Sequence, residues 1–188
     1  MEAILNEINS CRLCKDFIEP RPVVKANKNS KIIIIGQAPG TKVHASGIPW
    51  DDASGKQLRK WLGVTNTQFY DTALFGIVPM GFCYPGKGKS GDLPPRKECA
   101  PKWHQPLFDE MEKVELILLI GMYAQSYYLK NKAKRTLTET VNHFEDYLPT
   151  YFTLPHPSPR NRFWLSKNPW FEAHVVPRLK ERITKIIV

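Results

Sequence analysis

Lys31-Ile32-Ile33-Ile34-Ile35-Gly36-Gln37-Ala38-Pro39-Gly40 decides how this chain is read. Four consecutive isoleucines form a short β-branched run, and Gly36 ends it, which marks a strand. The turn that follows carries two glycines and a proline, so the backbone can bend sharply and come close to a ligand. Gln37 brings an amide that both donates and accepts. Taken alone, this pattern also fits a plain strand-to-loop turn.

Working outward, similar apolar runs bounded by Gly or Pro predict strands over Lys31–Gly36, Ala73–Val78, Glu115–Ile120 and Tyr151–Leu154. Helical patterns fall between them. Ser54 can cap a helix through Gly63 with Leu58, Trp61 and Leu62 inward. His104–Lys113 and Met122–Leu129 supply two more, and Thr136 with Glu139 forms a capping box for another. Strands separated by helices predict a parallel sheet covered on both faces, with the ligand site at the carboxyl ends of the strands. The loops there are Gln37–Ala53, Pro79–Ala100, Gly121–Tyr123 and Pro155–Asn161. In the last of these, three prolines stiffen Pro155-His156-Pro157-Ser158-Pro159-Arg160-Asn161 and present His156, Ser158 and Arg160.

Composition sets the outer bounds. The 188 residues are 42% hydrophobic and 11% aromatic, which excludes disorder and suits one domain over residues 1–188. The longest purely apolar run, Leu116–Ile120, is far short of the ~20 residues that span a bilayer. Met1-Glu2-Ala3-Ile4-Leu5-Asn6 has neither the basic nor the apolar part of a signal peptide. A cytoplasmic, monomeric protein with no membrane partner is expected. Lys and Arg number 27 against 18 Asp and Glu, a net charge of +9, which favours polyanionic partners through counterion release. The run Lys132, Lys134 and Arg135 reads as a solvated loop. Cys11 and Cys14 form a C-x2-C pair, while Cys83 and Cys99 lie far apart across a Pro/Gly/Lys loop. Four thiolates can hold a [4Fe–4S] cluster or zinc, or stay reduced and structural; disulfides are disfavoured in a cytoplasmic chain.

The Gly36-Gln37-Ala38-Pro39-Gly40 turn after the first core strand and the His156-Pro157-Ser158-Pro159 loop after the last, in this order, resemble the two motifs of the uracil-DNA glycosylase superfamily. The resemblance runs from about Cys11 to Asn168. Ser46-Gly47-Ile48-Pro49-Trp50 is similar to the stretch in which an aromatic ring stacks on the extruded base, and Gly121 with Ala124 to a strand-to-helix junction of the same superfamily. The cysteine spacing is similar to its iron–sulfur branch, whereas the wording of the His156 loop and the Gly47–Trp50 segment is closer to the single-strand-selective monofunctional enzymes. The resemblance implies a three-layer α/β/α sandwich with a central, mostly parallel four-stranded sheet. It also implies hydrolysis of the N-glycosidic bond of uracil, or another deaminated base, flipped out of DNA, with a [4Fe–4S] cluster on Cys11, Cys14, Cys83 and Cys99 and zinc as the less favoured occupant.

Residue roles follow by position. His156 would donate to the leaving base. Gly36, Gln37, Ala38, Pro39 and Gly40 would contact the base edge, Trp50 would stack on it or sit in the core, and Pro79 and Met80 would line the same side. Ser158, Arg160 and Asn161 would grip DNA, and Arg162, Lys167, Lys87 and Lys89 would extend a basic face. The chain departs from the family pattern in four places, the first being Gln37, where the iron–sulfur branch carries a glutamate. Ala38 stands where the best-known members carry a water-activating aspartate. Thr41-Lys42-Val43-His44 replaces an acidic run, and Pro79 replaces the asparagine that reads the uracil edge. Candidates for activating water are therefore Asp51, Asp52 and His44, although either aspartate can equally cap the following helix. A non-catalytic nucleic-acid or nucleotide-binding module on the same scaffold is the alternative reading.

Overall fold

The four isoleucines of Ile32–Ile35 are fully buried, and they alternate between two apolar layers. Ile32 and Ile34 join one, Ile33 and Ile35 the other, as the two-residue period of a strand requires. This is the centre of the sheet in the computed structural model, which describes residues 1–89 and 91–188. In chain order the elements are α1 (Glu2–Asn9), β1 (Ile32–Ile35), α2 (Thr41–Ser46), α3 (Ala53–Leu62), α4 (Asn66–Tyr70), β2 (Phe75–Ile77), β3 (Lys87–Gly88), β4 (Gly91–Asp92), α5 (Cys99–Asp109), β5 (Leu116–Ile120), α6 (Gly121–Leu129), α7 (Leu137–Asn142), β6 (Tyr151–Leu154), α8 (Arg162–Lys167) and α9 (Val176–Ile187).

The main sheet has the order β2-β1-β5-β6. Every pairing is parallel, with Ile32 opposite Phe75 and Leu116, and Ile117 opposite Tyr151. One face is covered by α3, α4, α7 and α9 through Leu58, Trp61, Phe69, Val141 and Leu179. The other is covered by α1, α5 and α6 through Ile8, Trp103, Leu107 and Ala124. The result is the three-layer α/β/α sandwich that the strand pattern and the family resemblance imply. From β1 the chain moves to one side, to β2, then crosses back to β5 on the other. The loops after β1 and β5 therefore diverge and open a crevice at the carboxyl edge. Among the described residues no helix is long and apolar enough to cross a membrane.

Several local expectations need correction. Asp52, not Ser54, caps α3: its backbone is extended and its carboxylate accepts from the Gly55 amide at 2.8 Å, while Ser54 lies inside the helix and is buried. Leu58, Trp61 and Leu62 do point inward, and Gly63 closes the helix in the left-handed region. α5 begins at Cys99 rather than His104 and stops at Asp109. The capping box of Thr136 and Glu139 is present at α7.

His104, in the middle of α5, is 2% exposed. Its Nε2 lies 3.0 Å from the Pro79 carbonyl oxygen, and its Nδ1 meets the Tyr128 hydroxyl. A carbonyl only accepts, so Nε2 carries the proton and Tyr128 donates to Nδ1. Burial pushes the imidazole pKa down to about 4, against a smaller opposing effect of the Pro79 contact. Between roughly pH 6.5 and 4 the unfolded chain binds a proton that the native chain refuses, so this contribution to stability is complete above pH 6.5 and is lost as the pH falls toward 4. His156 acts in the same direction. We expect denaturant unfolding to show stability falling by up to about 3 kcal/mol across that window. His104→Gln should flatten the slope, and an unchanged slope would refute the assignment.

Candidate active site

Trp50 adopts a left-handed backbone, φ 58°, which a bulky side chain reaches only when its surroundings hold it there. Two glycines make room for it. A β-carbon on Gly36 would stand 2.8 Å from Cζ2 of the Trp50 ring, and one on Gly55 would stand 1.7 Å from the Trp50 carbonyl oxygen. Arg59 Nη1 donates to that same oxygen at 3.3 Å, and the Tyr70 hydroxyl donates to the Pro49 carbonyl at 3.1 Å. Asp52, by capping α3 at Gly55, fixes the segment from below. The indole is thereby locked under the turn that follows β1. It packs on the core with one part and faces a pocket with the rest.

That pocket, about 370 Å³, opens at the carboxyl ends of β1, β2 and β6, in the size range of a small-molecule site. The whole Gly36–Gly40 turn lines it, together with Trp50, Pro79, Ser158 and Arg160. His156 closes the far side, its ring centroid 5.7 Å from that of Trp50 and tilted by 33°. Burial lowers the pKa of His156, and the charges of Asp52 and Asp92 oppose the shift without cancelling it. The ring therefore sits neutral at pH 7, able to donate one hydrogen bond without carrying a charge. Asn161 Nδ2 donates to the His156 carbonyl at 2.7 Å and braces the loop from outside.

The structure brings together most of the residues that the sequence singles out, and separates a few. Asp51 is exposed and does not line the pocket. His44 lies on α2, 3.3 Å from Glu19, with its ring 5.5 Å from that of Tyr84, and is also outside the lining. Met80 is not at the base edge. Its amide donates to the Gly36 carbonyl at 2.9 Å, continuing the pairing of β1 with β2 past the strand end, so alternation sends Pro79 to the pocket and the Met80 side chain into the core. Asn161 supports the wall rather than lining this pocket. Ser158 faces it, but its Oγ accepts from the Arg160 amide at 3.3 Å and caps a short turn. Lys134 is paired with Asp146 at 2.7 Å, in keeping with a solvated loop.

One carboxylate at the site escapes sequence reasoning. Asp92 ends the small antiparallel ribbon of β3 and β4, which folds over the pocket mouth. Arg160 Nη1 lies 2.9 Å from where a β-carbon of Gly91 would be, so its guanidinium rests against this ribbon rather than pointing into open space. The only sequence signal was Lys87-Gly88-Lys89 ahead of Gly91-Asp92, a glycine-rich turn that permits a hairpin.

The four cysteines, all free thiols, line one small cavity beneath Phe82 and Trp103. Cys11 and Cys14 follow α1, Cys83 follows the pocket wall at Pro79, and Cys99 opens α5. Burial raises the pKa of the Cys83 thiol to about 11 and raises that of Cys99, with the neighbouring thiols adding to both shifts. Among the described residues no group of three or more His, Cys, Asp or Glu is arranged to hold a single metal ion. Four thiols around one apolar cavity are a donor set that suits either a [4Fe–4S] cluster or a zinc ion.

Compared with known families, residues 24–180 match the model of the uracil DNA glycosylase superfamily.

Proposed function

The chain belongs to the uracil-DNA glycosylase superfamily, and from that premise we propose that it is a monofunctional DNA glycosylase that removes uracil or a related deaminated base flipped out of DNA. The observation that carries this reading is the neutral His156 facing Trp50 and the Gly36–Gly40 turn in one pocket. Cleaving the N-glycosidic bond leaves the base as an anion, and His156 donates to an acceptor on that base, O2 in the case of uracil, as the charge develops. Trp50 presents its ring to the base face, and the Gly36–Gly40 turn meets the base edge. Water then adds to C1′ of the sugar.

Base selection differs from the family pattern. Pro79 offers no amide where an asparagine is the usual reader, and its carbonyl is already bonded to His104. Edge recognition falls to Gln37, whose Nε2 contacts the Leu93 carbonyl at 3.3 Å. That bond uses one amide proton and leaves the carbonyl oxygen of Gln37 for the base. Ser158 and Arg160 meet DNA at the mouth, and Lys87 and Lys89 on the ribbon are exposed to add charge. Cys11, Cys14, Cys83 and Cys99 hold a [4Fe–4S] cluster that ties the end of α1 to the loop carrying Pro79, a structural role. Two apolar layers on one sheet support reading residues 1–188 as one domain, and we propose that it acts as a monomer.

The test is a set of oligonucleotides carrying deoxyuridine, deoxyinosine or deoxyxanthosine. Strand scission is expected on at least one of them only after alkali treatment, because the protein leaves an abasic site and no assigned lysine forms a Schiff base. Failure of folded protein on all three would overturn the reading. Anaerobically purified protein should be brown and contain iron and sulfide. Zinc in their place, or neither, would overturn the cluster.

A further inference from the structure

The pocket holds two carboxylates, Asp52 and Asp92, and they differ in what their oxygens already do. Asp52 caps α3 and fixes the segment that holds Trp50. Asp92 belongs to no helix. Its Oδ1 accepts from the Tyr84 hydroxyl at 3.5 Å, and Tyr84 in turn accepts from Thr41 Oγ1 at 3.2 Å. Its Oδ2 lies 3.4 Å from the position of a β-carbon on Gly40, so the carboxylate leans against the bare backbone of the turn that follows β1. The next residue is fixed as well, since the Leu93 amide donates to the Gly86 carbonyl at 2.9 Å and its carbonyl meets Gln37 Nε2. Thr41, Tyr84 and Gln37 thus hold Asp92 over the pocket from two sides, and its charge is felt at His156 on the opposite wall.

We propose that Asp92 is the catalytic carboxylate that orients and deprotonates the attacking water, with Tyr84 as its positioning residue. This rests on the glycosylase reading above and deepens it. The balance is simple. The C1′–N bond breaks and its electron pair leaves with the base. A water oxygen bonds to C1′, one water proton passes to the Asp92 carboxylate, and that proton later neutralises the base anion or is lost to solvent. A negative charge beside C1′ also favours the cationic character of the sugar as the bond opens. The acid that Ala38 and Thr41 do not supply thereby enters from a different loop.

Single-turnover base release is measured for the parent, Asp92→Asn, Tyr84→Phe and the double variant, with DNA affinity measured separately. Asp92→Asn is isosteric at an exposed position, so folding is preserved. We expect a loss of ten- to a hundredfold in rate with affinity unchanged. Tyr84→Phe alone should cost about tenfold or less, the worth of one hydrogen bond, and should add nothing once Asp92→Asn is present, because it acts through that side chain. Penalties that simply add would mean that Tyr84 only supports the fold, and would overturn its part. An Asp92→Asn protein as fast as an active parent would overturn the inference while leaving the glycosylase reading intact; an inactive parent would overturn both. NMR titration of His156 gives a readout apart from activity: Asp92→Asn should lower its pKa further, and no change would count against the facing arrangement.

Discussion

Replacing His156 with Ala is expected to slow single-turnover base release by a hundred- to a thousandfold while DNA affinity stays nearly constant. The ring is neutral, mostly desolvated and already aimed across the pocket toward Trp50, so it pays little reorganisation when charge appears on the leaving base. A hydrogen bond that strengthens only as the bond breaks lowers the barrier without tightening ground-state binding. Loss of one such preorganised donor carries a penalty of that size in other anion-stabilising sites. Arg160→Ala should behave in the opposite way, weakening DNA binding first, because its guanidinium lies at the mouth against the ribbon. Equal rates for the parent and His156→Ala would remove His156 from the chemistry and shift attention to Gln37.

The second large effect is structural. Gly55→Ala would ordinarily stabilise a helix by about 1 kcal/mol, since glycine in a helix interior is the poorer residue. Here the added carbon would stand 1.7 Å from the Trp50 carbonyl oxygen and 2.6 Å from its carbon, and neither backbone atom can swing aside as a flexible side chain would. The start of α3 or the left-handed Trp50 must give way. We expect a net loss of at least ~3 kcal/mol and a Tm lower by roughly 10 °C. Base release should fall further than the folded fraction, because Trp50 loses its place. Thermal unfolding beside single-turnover rates will show this, and a melting curve superimposable on that of the parent would refute it.

Much of the sheet was legible because a strand buried on both faces reads as an unbroken apolar run, and Ile32–Ile35 and Leu116–Ile120 are such runs. α7 was legible because its capping box is a local signal. α1, α9 and the ribbon were not anticipated, the ribbon because strands of two residues have no period to detect. The candidate site was readable where a single loop lines the pocket, as at Gly36–Gly40 and His156. It was unreadable where a side chain's placement depends on distant partners. Nothing near Asp92 in sequence announces a bond to Tyr84, a bond from Tyr84 to Thr41, or a resting place on Gly40. Trp50 could be read as platform or core because it packs on the core and also faces the pocket, and its dependence on Gly36 and Gly55 arises only when three separated segments meet.

The central place of β1 also bears on how the chain is made. Its strand order gives Ile32–Ile35 one partner in β2 and the other in β5, which is synthesised much later. Until β5 emerges, a strand of four isoleucines has an open edge, and such segments seed aggregation during translation. Lys31 on one flank and the Gly36–Pro39 turn on the other are the residue types that restrain edge-to-edge association. Chains stalled or truncated between β2 and β5 should therefore be insoluble, and slowing synthesis should raise the yield of the full-length protein only if it leaves that interval protected.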